Sequence, residues 1–339
     1  MLNLGTDEIA KYPFLTEAGQ YLKDKGFSLD QFGTDPDLKP ILDKAYNRIE
    51  IATTGKIYRS EVTSLEDLDL EVFSFLLAVI LLKLSGMNTL IRRFSLAEAR
   101  RAEKYLEKDL ADLSNKTKEE LATRIIKELF SINVEKRENF FVIPISDYLK
   151  HAVNFHEREW KLINRHVEHG KVILSSHETV RLIRKELDNY IVSKIRSTGT
   201  PSMIEALKKP VERLVSLGKK FSVPTVVSTE YPPCVKHAIE VLDKGENLPH
   251  SGRFLLATYL LGTGQNIEQI APLFKNAPDY NEKITMYQLN HLKGSSGSGT
   301  EYKCPSCERV KSKDLCFATS DCDGIINPIQ FKKKKTLNA

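Results

Sequence analysis

The cysteines are the residues whose type and spacing point most directly to chemistry. Four of the five are clustered near the C-terminus and one lies far upstream: Cys234, Cys304, Cys307, Cys316 and Cys322. Sets of four thiolates bind either Zn2+ or an iron–sulfur cluster. In an intracellular chain, clustered cysteines indicate a metal before disulfides. Two groupings stay open: a zinc-ribbon-like site on the four clustered cysteines, or a site in which Cys234 replaces one of them.

A D-x-D motif, Asp67 and Asp69, is a second candidate, because two carboxylates could hold the metal ions of a nucleotidyl transferase. Both residues stand with Glu66 and Glu71 at the start of a long apolar run. Acidic side chains in that position interact favourably with the positive end of a helix dipole. We therefore favour a helix start over catalysis. The chain also has no Walker A sequence and no nucleophile elbow.

The stretch GENLPHSGRFLLATYLLGTG is a third candidate. His250 and Arg253 stand at the entrance of its apolar helix, and Lys236 and His237 lie on the helix before it. Helix N-termini bind phosphate through free N–H groups and the dipole, and arginine adds a bidentate partner. The alternative is an ordinary capped helix with exposed polar residues.

Helical periodicity dominates the first 217 residues. Ser95 followed by Glu98 predicts a capping box at the start of one of these helices. Three runs of β-branched and aromatic residues interrupt the pattern and predict strands: 48–58 with a turn at Gly55, 140–145 and 171–174. The predicted fold class is mainly α with small β elements, with a helical N-terminal domain that carries a small strand subdomain.

The second part of the chain also reads as helical. A helix from Pro201 to about Leu217 is predicted to end at Gly218, which would serve as its C-cap. The proline-rich segment that follows predicts a linker, with the domain boundary near residue 220. Helices are then predicted at 234–245, 251–264 and 266–276. By composition alone, GSSGSG at 294–299 is a flexible linker.

Composition limits the class of protein. A chain of 339 residues with 41% hydrophobic and 28% charged residues is expected to be soluble and globular, and long enough for two domains. Its net charge of +5 permits a nucleic-acid partner without requiring one. For the tail Lys332 to Lys335 two readings stay open: nonspecific attraction to a nucleic-acid backbone, or a simply solvated tail. The longest apolar run, Val72 to Leu82, is far shorter than the ~20 residues that span a bilayer, and no secretory signal is recognisable.

Four segments, in the same order, resemble the C-terminal domain of the large subunit of archaeal and eukaryotic DNA primase. They are YPPCVKHAIEVL, NLPHSGRFLLATYLLGTG, YQLNHLKGSSGSGTEYKCPSC, and the last two cysteines followed by INPIQF. The helical region before them is similar to the N-terminal domain of the same subunits. The resemblance implies that residues 1–217 dock the catalytic small subunit, 218–230 form a linker and 231–339 form a helical iron–sulfur domain.

The resemblance also implies a cofactor, a [4Fe–4S] cluster held by Cys234, Cys307, Cys316 and Cys322. Cys304 falls where relatives commonly have proline or another residue that is not a ligand. The resemblance also implies that GSSGSG is a native glycine-rich loop of the family and not an engineered linker. The cluster's expected role is structural, because metal binding that closes a long loop contributes folding free energy. A redox switch for DNA binding is the other role that the sequence leaves open.

The function implied is that of a noncatalytic regulatory subunit in RNA primer synthesis for DNA replication. It would hold the initiating nucleotide, or the 5′-triphosphate end of the primer, against the template DNA while the small subunit joins nucleotides. His250 and Arg253 would contact phosphates, and Tyr259, His291 and Lys293 are further nucleotide-binding candidates. The expected partners are the small subunit, template, primer and nucleotides, with room for a third subunit. The expected location is cytoplasmic in an archaeal cell or nuclear in a eukaryotic one.

Two other functions compete. A zinc-ribbon nucleic-acid-binding protein would bind zinc through the four clustered cysteines and be indifferent to Cys234. A self-sufficient nucleotidyl transferase would synthesise nucleic acid alone and lose that activity on Asp67→Ala.

Overall fold

The computed structural model describes residues 5–26, 29–33, 35–54, 58, 65–111, 116–153, 155, 158–221, 231–297 and 299–331. Backbone contacts divide the chain into two compact units. The first unit contains residues 1–51, 56–83 and 94–204. The second contains residues 52–55, 84–93 and 205–339.

The first unit is a set of helices with one small sheet. The helices are α1 (Thr6–Lys11), α2 (Thr16–Asp24), α3 (Lys39–Thr53), α4 (Leu65–Ser85), α5 (Asn88–Ala111), α6 (Lys116–Phe130), α7 (Ile145–Ala152), α8 (Ser176–Leu182) and α9 (Arg184–Ser197). Short 3-10 turns lie at Leu29–Gly33, Pro36–Leu38, Arg158–Trp160 and Leu162–Asn164. The end of α3, the end of α4 and the start of α5 belong by their contacts to the second unit.

The sheet is antiparallel, with strand order β1-β2-β4-β3. Its strands are β1 (Glu135–Arg137), β2 (Phe140–Pro144), β3 (Val167–Glu168) and β4 (Lys171–Leu174). In the central pair, Phe141 lies opposite Leu174 and Ile143 opposite Val172, and all four are buried. The strands predicted at 140–145 and 171–174 are therefore confirmed.

The strand predicted at 48–58 is wrong, because residues up to Thr53 continue helix α3. The buried apolar residues Ile41, Ala45, Ile49 and Ala52 recur at the three- and four-residue spacing of one helix face. Tertiary burial of that face outweighs the local β propensity. The predicted turn at Gly55 lies outside the described residues.

The apolar run in α4 is a buried core helix, as its length indicates. The capping box predicted at Ser95 is wrong, because α5 already begins at Asn88 and Ser95 lies fully buried inside it. Glu98 points into the interior and pairs with the buried Arg48. It does not bond to the backbone at a helix start. Between α4 and α5, Gly86 has φ 63°, a conformation that glycine adopts without the usual steric cost.

Ionised side chains join α3, α4 and α5 inside the first unit. Glu71 accepts from Arg48 at 2.9 Å, from Arg101 at 2.9 Å and from Lys44 at 3.2 Å. Arg48 also forks onto Glu98, with Nε–Oε1 at 2.8 Å and Nη2–Oε2 at 2.9 Å. Burial raises the pKa of Glu71, but Arg48, Arg101 and Lys44 outweigh it and leave that pKa below its ordinary value. We call these five residues the buried ion network.

The second unit contains α10 (Glu205–Lys219), α11 (Pro233–Asp243), α12 (His250–Gly262), α13 (Ile267–Ile270), α14 (Glu282–Leu292) and α15 (Cys307–Lys311). Two 3-10 turns, Ala271–Asn276 and Ser320–Cys322, complete it. Its core is formed by the apolar faces of α11 and α12 together with residues from the later segments, among them Ile270, Phe274, Leu289, Cys304 and Val310.

Two predicted helices differ in detail. The helix predicted from Pro201 starts at Glu205 and passes Gly218, which is buried inside α10. A Cβ at Gly218 would lie 2.6 Å from Met87 Cε, so the glycine permits close packing and does not end the helix. The helix predicted at 266–276 divides into α13 and a 3-10 turn at the Ala271-Pro272 step, where proline lacks an N–H for an α-helical bond. Residues 222–230 of the predicted linker lie outside the described residues.

Within the part of the chain that the structure describes, no helix combines the length and apolar character needed to cross a bilayer.

Candidate functional site

The cysteines predicted to bind metal come from four places in the second unit. Cys234 lies in the first turn of α11, and Cys307 is the first residue of α15. Cys316 lies in the loop after α15, and Cys322 ends a 3-10 turn. All five cysteines are free thiols. Cys304 is 6% exposed and belongs to the apolar core, whereas the four expected ligands are each partly buried.

The thiols influence one another electrostatically. Burial, with the nearby Cys307 and Cys316 thiols, raises the pKa of Cys234 to about 12. Burial, with Cys316 and Cys322, raises the pKa of Cys307. Thiolates crowded in this way need a nearby positive charge in order to ionise. Among the described residues, no three His, Cys, Asp or Glu side chains are close enough together to hold a single metal ion.

The loop that carries Cys304 and Cys307 is held by a later segment that sequence reasoning left without a role. Asn327 Nδ2 donates to the carbonyl oxygens of Cys304 at 3.1 Å and Pro305 at 3.4 Å. The Cys307 backbone N–H donates to Ile326 O at 2.8 Å. We call Asn327 and these bonds the Asn327 clamp. The only sequence signal for it was the motif INPIQF that contains it.

The stretch around His250 and Arg253 forms the N-terminus of α12. The N-cap residue is Pro249, which makes no side-chain capping bond, and the first turn holds no acidic residue. His250 is exposed. Ser251 Oγ is buried without a hydrogen-bond partner among the described residues. The turn therefore keeps free N–H groups and no negative charge of its own, as an anion site requires.

Arg253 folds back over this turn. Its Nε donates to Leu248 O at 2.8 Å, and its Nη2 donates to Asp279 Oδ1 at 2.6 Å and to Asn247 Oδ1. Gly252 makes this possible, because a Cβ there would lie 2.9 Å from Leu248 Cγ. No local pattern in the sequence indicated the roles of Asn247 and Asp279.

The remaining predicted nucleotide-binding residues have different surroundings. Tyr259 is 1% exposed and packs edge-to-face against Tyr231, so it supports the core beneath α12. Lys293 is exposed at the end of α14. On α11, Lys236 is exposed, and the His237 ring packs against the Phe317 ring at a tilt of 31°, with ring centroids 3.7 Å apart.

His291 lies in a cluster of aromatic rings. Tyr302 OH is 3.2 Å from His291 Nε2, and the Tyr287 ring is nearly parallel to the imidazole at 6.3 Å. Tyr287 is 64% exposed, so the cluster presents a ring to solvent. Gly297 of the glycine-rich loop has φ 76° and covers His291, since a Cβ there would lie 2.8 Å from Nδ1. The four-residue spacing of Tyr287 and His291 on α14 was the available sequence signal.

The D-x-D carboxylates lie in the first unit, on α4. Asp69 pairs with Lys25 Nζ at 3.0 Å and accepts the hydroxyl of Tyr21. This arrangement fits a helix start that is tied to α2 and its following turn.

Comparison with known proteins identifies the family. A profile of the C-terminal domain of the eukaryotic and archaeal DNA primase large subunit matches residues 224–337. That range contains every expected cluster ligand and every predicted nucleotide-binding residue.

Relatives extend the match over nearly the whole chain. A protein from Methanococcoides burtonii named DNA primase large subunit PriL is 30% identical over 96% of this chain and 92% of its own length. Proteins of the same name from Methanocella arvoryzae and Halobacterium salinarum are 29% and 28% identical over 96% of this chain, and over 87% and 92% of their own lengths. The chain belongs to the DNA primase large-subunit family.

Proposed function

We propose that this primase large subunit is the noncatalytic, regulatory partner of a catalytic small subunit in RNA primer synthesis. In this proposal, residues 231–339 hold the initiating nucleotide, or the primer's 5′-triphosphate, against the template DNA. The observation that carries it is the first turn of α12, which combines free N–H groups with the Arg253 guanidinium. Holding one reactant in place makes the first bond formation effectively unimolecular.

The chemistry of the turn suits a polyphosphate. Backbone N–H groups at a helix N-terminus and an arginine fork are the donors that phosphate oxygens prefer in proteins. His250 is exposed beside them, and the buried Ser251 hydroxyl adds a donor without a partner among the described residues. Tyr259 supports the helix from the core and is not placed to touch a ligand.

The aromatic cluster offers a second contact. The exposed Tyr287 ring, backed by His291 and Tyr302, suits stacking against a nucleobase or sugar of an unpaired strand. Lys293, exposed after the same helix, suits a backbone phosphate. Lys332 to Lys335 lie outside the described residues, and their contribution stays a prediction.

The proposed cofactor is a [4Fe–4S] cluster on Cys234, Cys307, Cys316 and Cys322. Support comes from the donor set: thiols from α11, α15 and the last loop influence one another's ionisation, and a cationic iron–sulfur core would relieve that cost. When bound, the cluster would crosslink these segments, and it has the capacity to carry one electron. Cys304, buried in the core, is proposed to be a packing residue. The zinc-ribbon alternative gains no support from the family match, which includes Cys234.

Residues 1–217 are proposed to dock the small subunit, with 218–230 as linker to the iron–sulfur domain. A candidate surface is a cleft of about 460 Å3 beside the sheet, where Phe140 is 51% exposed and Arg137, Val142 and Ile173 form part of the lining. Phe140→Asp in the full chain should abolish co-purification with the small subunit. Ile163→Asp, at an exposed apolar residue outside the cleft, should not. Co-purification that survives Phe140→Asp would place the docking surface elsewhere.

Arg253→Ala tests the initiation proposal in the reconstituted complex. The variant should raise the KM of the initiating nucleotide and slow the first bond formation by about tenfold or more, since hydrogen bonds to charged groups contribute about 1.5–3 kcal/mol. Extension of a supplied primer should change far less. Arg309→Ala, which removes an exposed arginine of α15 from the same unit, is the matched control. Equal effects of Arg253→Ala on initiation and extension would contradict the proposal.

A further inference from the structure

The guanidinium of Arg253 is held by acceptors from two separate parts of the second unit. Leu248 O and Asn247 Oδ1 lie just before α12. Asp279 comes 26 positions later, from the turn that precedes α14. Arg253 and Asp279 are both mostly buried, with side chains 26% and 23% exposed. The three acceptors use Nε and Nη2, which share one edge of the planar fork.

The other edge of the Arg253 guanidinium makes no hydrogen bond to the described residues. Nη1 has no hydrogen-bond partner within the described parts of the chain. Arginine has several rotatable bonds and loses rotamer freedom when it is fixed. A carboxylate that fixes Arg253 in advance removes most of that loss from the binding step.

We propose that Asp279 is a positioning residue for nucleotide binding. Its carboxylate holds the Arg253 fork so that Nη1 and the free N–H groups of the first turn of α12 form a ready-made site for phosphate oxygens. This inference rests on the proposed function and adds a residue to it. Asp279 does not itself touch the ligand.

The charge of Asp279 does not cancel the attraction for an anion. Burial lowers the pKa of Arg93, on the segment of α5 that belongs to this unit, to about 10, and the nearby Asp279 carboxylate opposes that shift. Two arginines therefore face one carboxylate. Glu282, the acidic residue at the start of α14, makes no hydrogen bond to Arg253 within the described residues. Position, more than charge, is the contribution of Asp279.

The test uses the full chain in complex with the catalytic small subunit, with ATP or GTP as the initiating nucleotide. Asp279→Ala should raise the KM for that nucleotide about tenfold in the first bond formation, because one rotamer-rich side chain must then be ordered on binding. The kcat should stay within about twofold. Asp279→Asn should restore the KM to within about threefold of wild type, because its amide oxygen still accepts from Nη2. Glu282→Ala is the control for loss of a nearby negative charge.

Each outcome is decisive. An unchanged or lower KM in Asp279→Ala would overturn the inference, and so would an Asp279→Asn variant as weak as Asp279→Ala. Arg253→Ala, measured in parallel, shows whether a failure concerns the proposed function or only the positioning role of Asp279. If Arg253→Ala leaves the KM unchanged, the proposed function itself fails. If Arg253→Ala raises the KM and Asp279→Ala does not, only the positioning role fails.

Discussion

The two units bury ionisable groups in opposite ways. In the first, the buried ion network places three cations around two carboxylates, and every charge has a partner within 3.7 Å. In the second, buried thiols lie near one another with raised pKa values. The first arrangement is complete when the chain folds. The second would acquire a compensating charge on binding the proposed iron–sulfur cluster.

The comparison suggests that the units differ in what holds them together. Helices α3, α4 and α5 have both an apolar core and internal ion pairs. The segment from Gly294 to Phe331 has only α15 and one 3-10 turn as regular structure among its described residues. With so little regular structure, this segment would gain a large part of its folding free energy from binding the proposed cluster. The one tryptophan, Trp160, is 3% exposed in the first unit and reports on that unit alone.

The largest expected effect is on the proposed cluster site. Cys234→Ser should remove the iron and visible absorbance of the anaerobically purified chain and expose residues 294–331 to amide exchange, since metal binding contributes on the order of 10 kcal/mol to such domains. Trp160 emission should stay native. Cys304→Ser is the matched variant and should keep its iron. Iron retained in Cys234→Ser, or one zinc bound in both variants, would contradict the assignment of Cys234 as a cluster ligand.

Glu71→Leu should be the most damaging change in the first unit. It leaves Arg48, Arg101 and Lys44 without their shared carboxylate, and breaking a buried pair costs about 3–5 kcal/mol. Denaturant titration followed by Trp160 emission measures this loss, while the iron content should not change. The control is Glu135→Ala, which removes an exposed pair with Lys171 and should leave the midpoint unchanged. A midpoint equal to wild type would show that the network does not hold the helices.

Asn327→Ala should have an intermediate effect confined to the second unit. It leaves the carbonyl groups of Cys304 and Pro305 without their donor and the Ile329 N–H without its acceptor, at a cost of about 1–3 kcal/mol. Iron release to a chelator should be about tenfold faster. Asn290→Ala removes one bond, to Met286 O, within α14 and should leave that rate unchanged. Equal release rates in the two variants would show that the Asn327 clamp does not stabilise the cysteine loop.

The smallest expected effect is the response of the first unit to acid. The pKa of Glu71 is lowered in the folded state, so its contribution is fully present above the ordinary glutamate pKa of about 4.3 and is lost as the pH falls below it. Stability measured by Trp160 emission should therefore decline below that pH. In Glu71→Gln the decline should be shallower, by up to about 1.4 kcal/mol for each pKa unit of the shift. Identical slopes would assign the acid sensitivity to other carboxylates.

The sequence predicted secondary structure correctly where the interactions that determine an element lie within one short stretch. The strands at Phe140–Pro144 and Lys171–Leu174 and the helices at Pro233–Asp243 and His250–Gly262 follow from periodicity, proline and glycine within each segment. The errors came where a distant partner decided the outcome. Residues 48–53 are helical because Arg48 and Ile49 are buried among other helices. Ser95 lies inside α5, where the following Glu98 pairs with Arg48 and does not cap a helix.

By itself, the sequence determined the class of fold, the family, the cysteines available for a metal, and the placement of Arg253 at a helix start. These depend on residue type, order and short spacing, all of which are written locally in the chain. Only the tertiary structure decided that Asp279 and Asn247 hold Arg253, that Asn327 holds the loop before Cys307, and that Tyr259 is buried. Contacts between residues far apart in the chain depend on how whole elements pack, and no local pattern encodes them.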